Sequence, residues 1–352
     1  MNKHLPHDLA QMQSLPLESK IIMTQQRIRQ WYEYWDGMVY VSFSGGKDST
    51  VLKHIVDNMY DDVPALFVNT GLEYPEIQKF AKSQNNVVVV RPEMNFNDVL
   101  KKYGYPVISK EGSKVIKEAR SAIQQNNANS TAWKKLKGEL TNNEGGKSKY
   151  NMEKWAFMLD APFKISSQCC DVMKKRPAKK YGKETGRKPI IGTLASESRL
   201  RYQKWLINGC NAFEKKQPTS QPLSFWTEQD ILHYLKKYNV PYCSVYGDIV
   251  IDEKVDGDTV LQGQVNLIDY LGCYDEEDKL KTTGCVRTGC IFCMFGCHIE
   301  KEPNRFQRLK ETHPKQYAYC IGGGEMVDGK WQPNKEGLGL GKVLDYIGVK
   351  YE

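Results

Sequence analysis

The chain has 352 residues, of which 40% are hydrophobic, 26% charged and 11% aromatic, a composition that excludes a collagen-like or disordered protein. Its 50 basic and 42 acidic residues give a net charge of +8, which favours phosphate-bearing partners but does not distinguish a nucleotide from a polynucleotide. No stretch approaches the ~20 apolar residues of a membrane-spanning helix, and the first twenty residues lack the apolar core of a secretory signal. We therefore expect a cytoplasmic location, no membrane partner, and ten cysteines that serve metal or sulfur chemistry rather than disulfides.

The first predicted elements are a strand, a tight loop and a helix. An apolar, partly β-branched run at Met38–Phe43 meets the hexapeptide Ser-Gly-Gly-Lys-Asp-Ser and then a helix-like stretch at Thr50–Met59. Further strands are predicted at Ala65–Asn69, Val87–Val90 and Pro189–Leu194. Because these strands alternate with helical or polar segments, the sequence predicts an α/β fold with a mostly parallel sheet and flanking helices.

The hexapeptide has the chemistry of a phosphate-binding loop. Gly45 and Gly46 follow a strand directly, so their backbone N–H groups can point at an anion in front of a helix N-terminus. Lys47 adds a mobile positive charge. The loop is not the GxxxxGK[ST] type, because Asp48 follows the lysine. The alternative is a plain Gly-Gly turn with a surface lysine.

The hexapeptide resembles the PP-loop signature SGGxDS of the ATP pyrophosphatase and phosphoadenylyl-sulfate (PAPS) reductase superfamily. Three later segments resemble further motifs of that family in the same order: Asn69–Pro75, Gly192–Arg201 and Pro222–Ile231. The resemblance covers about residues 39–293 and implies the adenine nucleotide alpha-hydrolase-like fold with a bound adenine nucleotide. A cysteine-rich C-terminal region follows.

The same resemblance implies roles for individual residues. The loop would hold the β- and γ-phosphates of ATP while the α-phosphorus is attacked, and Asp48 would help to hold the Mg²⁺ that accompanies ATP. The implied catalytic residues are Lys47, Asp48 and Arg199. The implied nucleotide-binding residues are Ser44, Gly45, Gly46, Lys47, Asp48, Ser49, Asn69, Thr70, Gly71, Gly192, Glu197 and Arg201. In the third segment, Trp226 is expected to pack in the core, and a simple surface ion pair is the alternative for Glu197 and Arg199.

The density of the cysteines indicates a metal. Cys169 and Cys170 are adjacent, and Cys285, Cys290, Cys293 and Cys297 are separated by four, two and three residues. One interpretation is a local zinc site formed by the last four, with His298 as a substitute for Cys297. By resemblance to sulfonucleotide reductases and related sulfur-transfer enzymes, a CC pair and a later CxxC hold one [4Fe–4S] cluster. That resemblance implies Cys169, Cys170, Cys290 and Cys293 as ligands, and spacing alone does not separate the two interpretations.

The domain prediction has three consecutive parts. Residues 1–36 form an N-terminal helical segment, 37–247 the PP-loop nucleotide-binding domain with a Lys-rich insertion at 101–151, and 248–352 the cysteine-rich region. The polar, acidic stretch 248–281 is expected to account for the long separation between Cys170 and Cys290. The insertion and the basic run at Lys174–Lys188 are candidate polynucleotide contacts, or solvated surface.

Three functions remain at this stage. In the first, the protein cleaves ATP into AMP and pyrophosphate and couples this to sulfur transfer, thiolating tRNA or DNA, with a sulfur-donor protein or a thiol such as Cys285 or Cys297 supplying the sulfur. The second is a PAPS or adenylyl-sulfate reductase that makes sulfite with a reductant protein. The intact loop and the lack of a cysteine after Cys320 favour the first. The third is a non-enzymatic regulator that binds nucleotide and metal.

Overall fold

The computed structural model describes residues 3–127, 129–252 and 278–352. They form two compact units, each built from several stretches of chain. The first unit comprises the residues up to Val68, Tyr74–Val90 and Ala178–Thr288, and the second comprises Asn69–Glu73, Arg91–Pro177 and Gly289–Glu352. The predicted boundaries after residues 36 and 247 stay a prediction. Most of the predicted stretch 248–281 lies outside the described residues.

A six-stranded sheet forms the centre of the first unit. Its strands are β1 (Val39–Phe43), β2 (Ala65–Val68), β3 (Val87–Val90), β4 (Lys188–Ile191), β5 (Asn211–Ala212) and β6 (Thr219–Ser220). Their spatial order is β3-β2-β1-β4-β6-β5, and every neighbouring pair is parallel except the pair of β5 and β6. The predicted fold class, a mostly parallel sheet with flanking helices, is therefore confirmed.

The α-helices, in chain order, complete the inventory of the longer elements. They are α1 (Pro6–Gln13), α2 (Leu17–Tyr34), α3 (Lys47–Asp57), α4 (Pro75–Ser83), α5 (Phe96–Tyr103), α6 (Lys110–Gln124), α7 (Thr131–Lys137), α8 (Arg176–Thr185), α9 (Arg199–Asn208), α10 (Glu228–Lys237), α11 (Arg305–Thr312), α12 (Pro314–Ile321) and α13 (Leu340–Tyr346). In the described part of the chain, no helix is both long and apolar enough to cross a membrane.

The core of the first unit lies around β1 and α3. Val39, Val41 and Phe43 of β1 are buried, as in a parallel sheet covered on both faces, and α3 packs against β1, α2 and α10. Trp226 is fully buried and its indole N–H donates to Thr24 at 2.8 Å, so its predicted core role is confirmed. Such packing fixes the position of the residue that begins α3.

A buried ion pair fixes the start of α10 in the same unit. Thr227 caps the helix, with its hydroxyl accepting the N–H of Asp230 and the Asp230 carboxylate accepting the N–H of Thr227. The carboxylate also accepts two hydrogen bonds of 2.8 Å from the buried ammonium of Lys20 on α2. The first turn of α10, including Glu228, is therefore held in place from two sides.

The second unit has its own packing. Within the predicted insertion, α6 and α7 pack together, and the guanidinium of Arg120 on α6 donates to the backbone oxygens of Met158, Ala161 and Phe163. These bonds tie the insertion to a 3₁₀-helix at Glu153–Asp160. Two short hairpins lie further along the chain: β7 (Ile249–Ile251) with β8 (Leu280–Thr282) in the first unit, and β9 (Glu325–Val327) with β10 (Lys330–Gln332) in the second.

Candidate functional site

The predicted phosphate loop lies where the strand order of the sheet changes direction. β1 pairs with β2 on one side and with β4 on the other, so the chain that leaves its carboxyl end opens into a crevice. In open α/β sheets, ligands bind at such switch points. Residues 44–46 occupy this position and lead directly into α3, whose first N–H groups have no partner within the helix.

The loop is shaped by one left-handed glycine and by two serines. Gly45 has φ +72°, and a Cβ there would lie 3.0 Å from Cγ2 of Ile77, so any other residue would be strained and crowded. The hydroxyls of Ser44 and Ser49 are 3.0 Å apart, and Ser49 donates to the backbone oxygen of Gly46 at 2.9 Å. Ser44 and Ser49 thus stabilise the loop itself.

A cavity of about 400 Å³, open to solvent, lies over the loop. Its lining residues are Ser44, Gly46, Lys47, Asp48, Ser49, Gly192, Glu197, Tyr246, Arg287 and Thr288. The structure therefore brings seven of the predicted nucleotide-binding residues together in one pocket. It adds three residues for which the sequence predicted no role: Tyr246, Arg287 and Thr288.

Lys47 is held by partners on two other segments. Its side chain is only 6% exposed, and its ammonium lies 2.8 Å from the backbone oxygen of Val286 and 3.0 Å from the Glu228 carboxylate. Its backbone N–H donates to the hydroxyl of Tyr246 at 3.2 Å. The positive charge is thus fixed at the start of α3, where the helix dipole already favours an anion.

Asp48 carries a buried oxygen with unused hydrogen-bonding capacity. Its Oδ1 is buried and has no hydrogen-bond partner in the described part of the chain. Burial raises the pKa of Asp48, while the nearby positive charges of Lys47 and Arg287 act in the opposite direction. A carboxylate oxygen of this kind fits a hard divalent cation such as Mg²⁺, which prefers oxygen ligands.

The opposite wall of the cavity holds two arginines around one glutamate. Glu197 forms an ion pair with Arg201 and lies 3.5 Å from Nη1 of Arg287. Burial and the neighbouring charge of Arg287 lower the pKa of Arg201. Arg199 is exposed on the first turn of α9 and does not line the cavity, so its catalytic role stays a prediction.

Gly192 has a steric role beside these charges. A Cβ at this position would lie 3.0 Å from the backbone oxygen of Asp48 and 3.3 Å from its carbonyl carbon. The end of the segment that follows β4 therefore approaches the first turn of α3 backbone to backbone. Only glycine permits this approach without displacing one of the two.

Asn69, Thr70 and Gly71 belong to the second unit, where they form a self-bonded turn. The Asn69 side chain accepts the N–H of Gly71 at 3.3 Å, and the Thr70 hydroxyl donates to the buried Glu73 carboxylate at 2.7 Å. The backbone oxygen of Leu72 accepts the N–H of Ile291, which lies inside the CxxC segment. The predicted nucleotide contact of these three residues stays a prediction.

The four predicted cluster ligands also belong to the second unit. The sulfurs of Cys169 and Cys170 are 3.9 Å apart, immediately before a π-helical turn at Asp171–Lys175, and both thiols interact electrostatically with the CxxC cysteines. Burial raises the pKa of Cys290 to about 11 and also raises that of Cys293. A hydrogen bond from Cys169, together with the ammonium groups of Lys110 and Lys174, lowers the pKa of Cys170 to about 6.

This donor set suits an iron–sulfur cluster chemically, since it offers four thiols with basic neighbours. Among the described residues, no three His, Cys, Asp or Glu side chains converge as ligands of a single metal ion. A four-iron cluster is larger than an ion and separates its thiolates further, so this finding weakens the zinc alternative without showing the cluster. Cys297 is buried and donates to the backbone oxygen of Met294, which makes it a poor sulfur carrier.

The family of the chain follows from comparison with known proteins. A family described as the phosphoadenosine phosphosulfate reductase domain matches residues 38–137 and 132–294, more than half of the chain. The chain belongs to this family. The resemblance drawn from the loop and its three companion motifs is thereby confirmed.

Relatives of this PAPS reductase domain protein include two uncharacterized proteins of Methanocaldococcus jannaschii. MJ0973 is 37% identical over 86 residues, 22% of this chain and 21% of its own, and MJ0066 is 26% identical over 223 residues, 62% of this chain and 35% of its own. The chain thus spans only about a fifth and a third of their lengths. The PAPS reductase of Candida auris, solved as a phosphate complex, aligns with 16% identity and a TM-score of 0.35, over 63% of this chain and 82% of that one.

Proposed function

We propose that this PAPS reductase-family protein binds ATP with Mg²⁺ in the loop pocket, cleaves it between the α- and β-phosphates, and uses the adenylylated acceptor for sulfur transfer. The observation that carries the proposal is the buried, unpartnered Oδ1 of Asp48 beside Lys47 at the start of α3. Together they offer a cation ligand, a positive charge and a helix N-terminus within one turn.

The chemistry follows from these groups. An acceptor oxygen attacks the α-phosphorus, the bond from that phosphorus to the bridging oxygen breaks, and pyrophosphate leaves with its electron pair. The loop amides and Lys47 stabilise the charge that develops on the leaving group, and Asp48 holds the Mg²⁺ that neutralises it further. A sulfur species then displaces AMP from the activated acceptor.

The cysteine region supplies the sulfur side of the proposal. Cys169, Cys170, Cys290 and Cys293 would hold the [4Fe–4S] cluster, which brings thiolate-bound iron able to handle sulfur. The chain's own contribution is the basic surroundings of Lys110 and Lys174, which favour negatively charged sulfur ligands. A polynucleotide acceptor, tRNA or DNA, fits the net charge of +8 and the Lys-rich insertion.

Pyrophosphate and AMP release by anaerobically purified protein tests the proposal. We expect release from ATP that increases with added tRNA or DNA, and a loss of about 10²–10³-fold in Lys47→Ala, the size found when one transition-state donor is removed. Lys204→Ala, which removes an exposed lysine on α9, is the matched control and should retain full turnover. Sulfite formed from PAPS or adenylyl sulfate, without turnover of ATP, would contradict the proposal in favour of a reductase.

A further inference from the structure

The short segment Val286–Thr288 is anchored at both of its ends to the residue that begins α3. The backbone oxygen of Val286 accepts a 2.8 Å hydrogen bond from the Lys47 ammonium. Two residues later, the Thr288 hydroxyl lies 2.6 Å from the Tyr246 hydroxyl, which in turn accepts the backbone N–H of Lys47. The residue between these anchors, Arg287, is therefore presented to the loop pocket in a defined position.

Tyr246 makes this arrangement rigid. It is buried, and burial raises its pKa to about 12, so its hydroxyl remains a neutral donor and acceptor at physiological pH. A Cβ on Gly46 would lie 3.2 Å from this hydroxyl and 3.3 Å from that of Thr288. The loop and the segment are thus in close contact over both of these hydroxyls.

The guanidinium of Arg287 lines the cavity without a strong partner of its own. Its side chain is 55% exposed, and its distance of 3.5 Å to Glu197 exceeds the 2.7–2.9 Å typical of a charge-assisted hydrogen bond. Glu197 is already engaged by Arg201 and by the backbone N–H of Leu194. Two guanidinium groups therefore share one carboxylate, and this wall of the cavity carries excess positive charge.

We propose that Arg287 binds the β- and γ-phosphates of the nucleotide, as a phosphate ligand supplied by the segment that precedes Cys290. The identity of that nucleotide rests on the proposed function. A guanidinium can donate two parallel N–H groups to the non-bridging oxygens of a phosphate, and it stays charged at every physiological pH. In that position it stabilises the departing pyrophosphate together with Lys47.

Binding of inorganic pyrophosphate with Mg²⁺, measured by calorimetry, tests this role without requiring turnover. Arg287→Ala should weaken pyrophosphate binding by about tenfold or more, the effect expected from losing a charge-assisted hydrogen bond. Arg287→Lys should retain part of the affinity because it keeps the charge but not the fork. AMP, which lacks the β- and γ-phosphates, should bind all three proteins equally, and Lys204→Ala should behave as wild type.

The outcomes separate this inference from the proposed function. Equal pyrophosphate affinity in wild type and Arg287→Ala would overturn it, and so would an equal loss of AMP affinity, which indicates a distorted pocket. Failure of the wild type to bind pyrophosphate would also overturn it. If pyrophosphate binding depends on Arg287 but ATP is not cleaved, the proposed function fails and the assignment of Arg287 stands. If ATP is cleaved equally by wild type and Arg287→Ala, the reverse holds.

Discussion

The loop pocket and the cysteine region are assembled from the sequence in different ways. The floor of the pocket is six consecutive residues, 44–49, whose shape is set locally by a strand end, a left-handed glycine and a helix start. The cysteine region joins two pairs separated by 119 residues, from Cys170 to Cys290. A local motif specifies its own geometry, whereas distant pairs depend on everything folded between them.

The two regions also treat charge differently. In the pocket, the Lys47 ammonium lies near Glu228 and the guanidinium groups lie near Glu197, so the charged forms persist without a ligand. In the cysteine region, burial raises the pKa of Cys290 and Cys293, so these thiols are neutral until a metal replaces their protons. The pocket is therefore preorganised for its ligand, while the cysteines need their metal to complete the site.

The largest expected effect comes from breaking the cysteine set alone. Cys170→Ser should remove nearly all protein-bound iron and its visible absorbance, because one of four thiolates is lost. Pyrophosphate affinity should be unchanged, since no cysteine lines the pocket among the described residues. Iron and zinc analysis of anaerobically purified protein, beside calorimetry with pyrophosphate, measures both.

The matched variant is Cys297→Ser, in a cysteine of the same region that is outside the proposed cluster set. It should retain its iron, although the buried serine will lower stability somewhat. Zinc that is lost from Cys297→Ser and retained in Cys170→Ser would reverse the assignment and support the local zinc site.

A second variant breaks the pocket and leaves the cysteines intact. In Gly192→Ala, the new Cβ meets the backbone of Asp48 at 3.0 Å, so the strand end or the first turn of α3 must move. We expect a loss of about 1–3 kcal/mol in the free energy of unfolding and weaker pyrophosphate binding, with unchanged iron content. Urea unfolding provides the first measurement.

Gly289→Ala is the control for this change, because nothing lies within 4 Å of a Cβ at that position. It should unfold at the same urea concentration as wild type. If both alanine variants are equally stable, the close approach at Gly192 does not constrain the pocket.

The sequence predicted the local features of the pocket and missed those that come from far along the chain. The strand, the loop and the helix at residues 38–59 appear as predicted, within a few residues, because their signals are contiguous. Tyr246, Arg287 and Thr288 reach the loop only through the fold. Their positions between recognised motifs and the cysteines were the only signal, and the cysteine pattern drew the interpretation away from them.

The choice between Arg199 and Arg201 could have been made from the sequence. Glu197 and Arg201 are four residues apart at the start of a helical segment, the spacing at which side chains meet, whereas Arg199 is two residues away and faces elsewhere. The cluster, by contrast, could not be decided from spacing. Both proposed sets share Cys290 and Cys293, and only the fold determines which other cysteines lie beside them.

A smaller effect should separate stability from function at Asp48. Burial raises the pKa of this carboxyl, so between its ordinary value of about 4 and the raised one the folded state holds a proton that the unfolded state has lost. The free energy of unfolding therefore falls as pH increases through that window. Asp48→Asn removes this slope and should be more stable by about 1 kcal/mol at neutral pH, while losing Mg²⁺-dependent turnover.

Urea unfolding at several pH values between 4 and 7 checks the sign of this effect. Asp61→Asn, in an exposed carboxylate of the same unit, is the control and should keep the slope of the wild type. A wild type whose stability increases with pH in a way that depends on Asp48 would show that the carboxylate is stabilised, not penalised, in the folded protein.

The smallest effect concerns the counter-charge of Lys47. Glu228 lies 3.0 Å from the Lys47 ammonium and competes with any phosphate for it, so Glu228→Gln should increase pyrophosphate affinity. Because the Glu228 side chain is 39% exposed, solvent screens the interaction, and we expect only about a two- to fivefold gain. The gain should shrink as salt is raised, whereas Glu184→Gln on the exposed face of α8 should change nothing. Weaker binding in Glu228→Gln would mean that the carboxylate positions the ammonium for the ligand, and that Lys47 is preorganised by its ion pair rather than restrained by it.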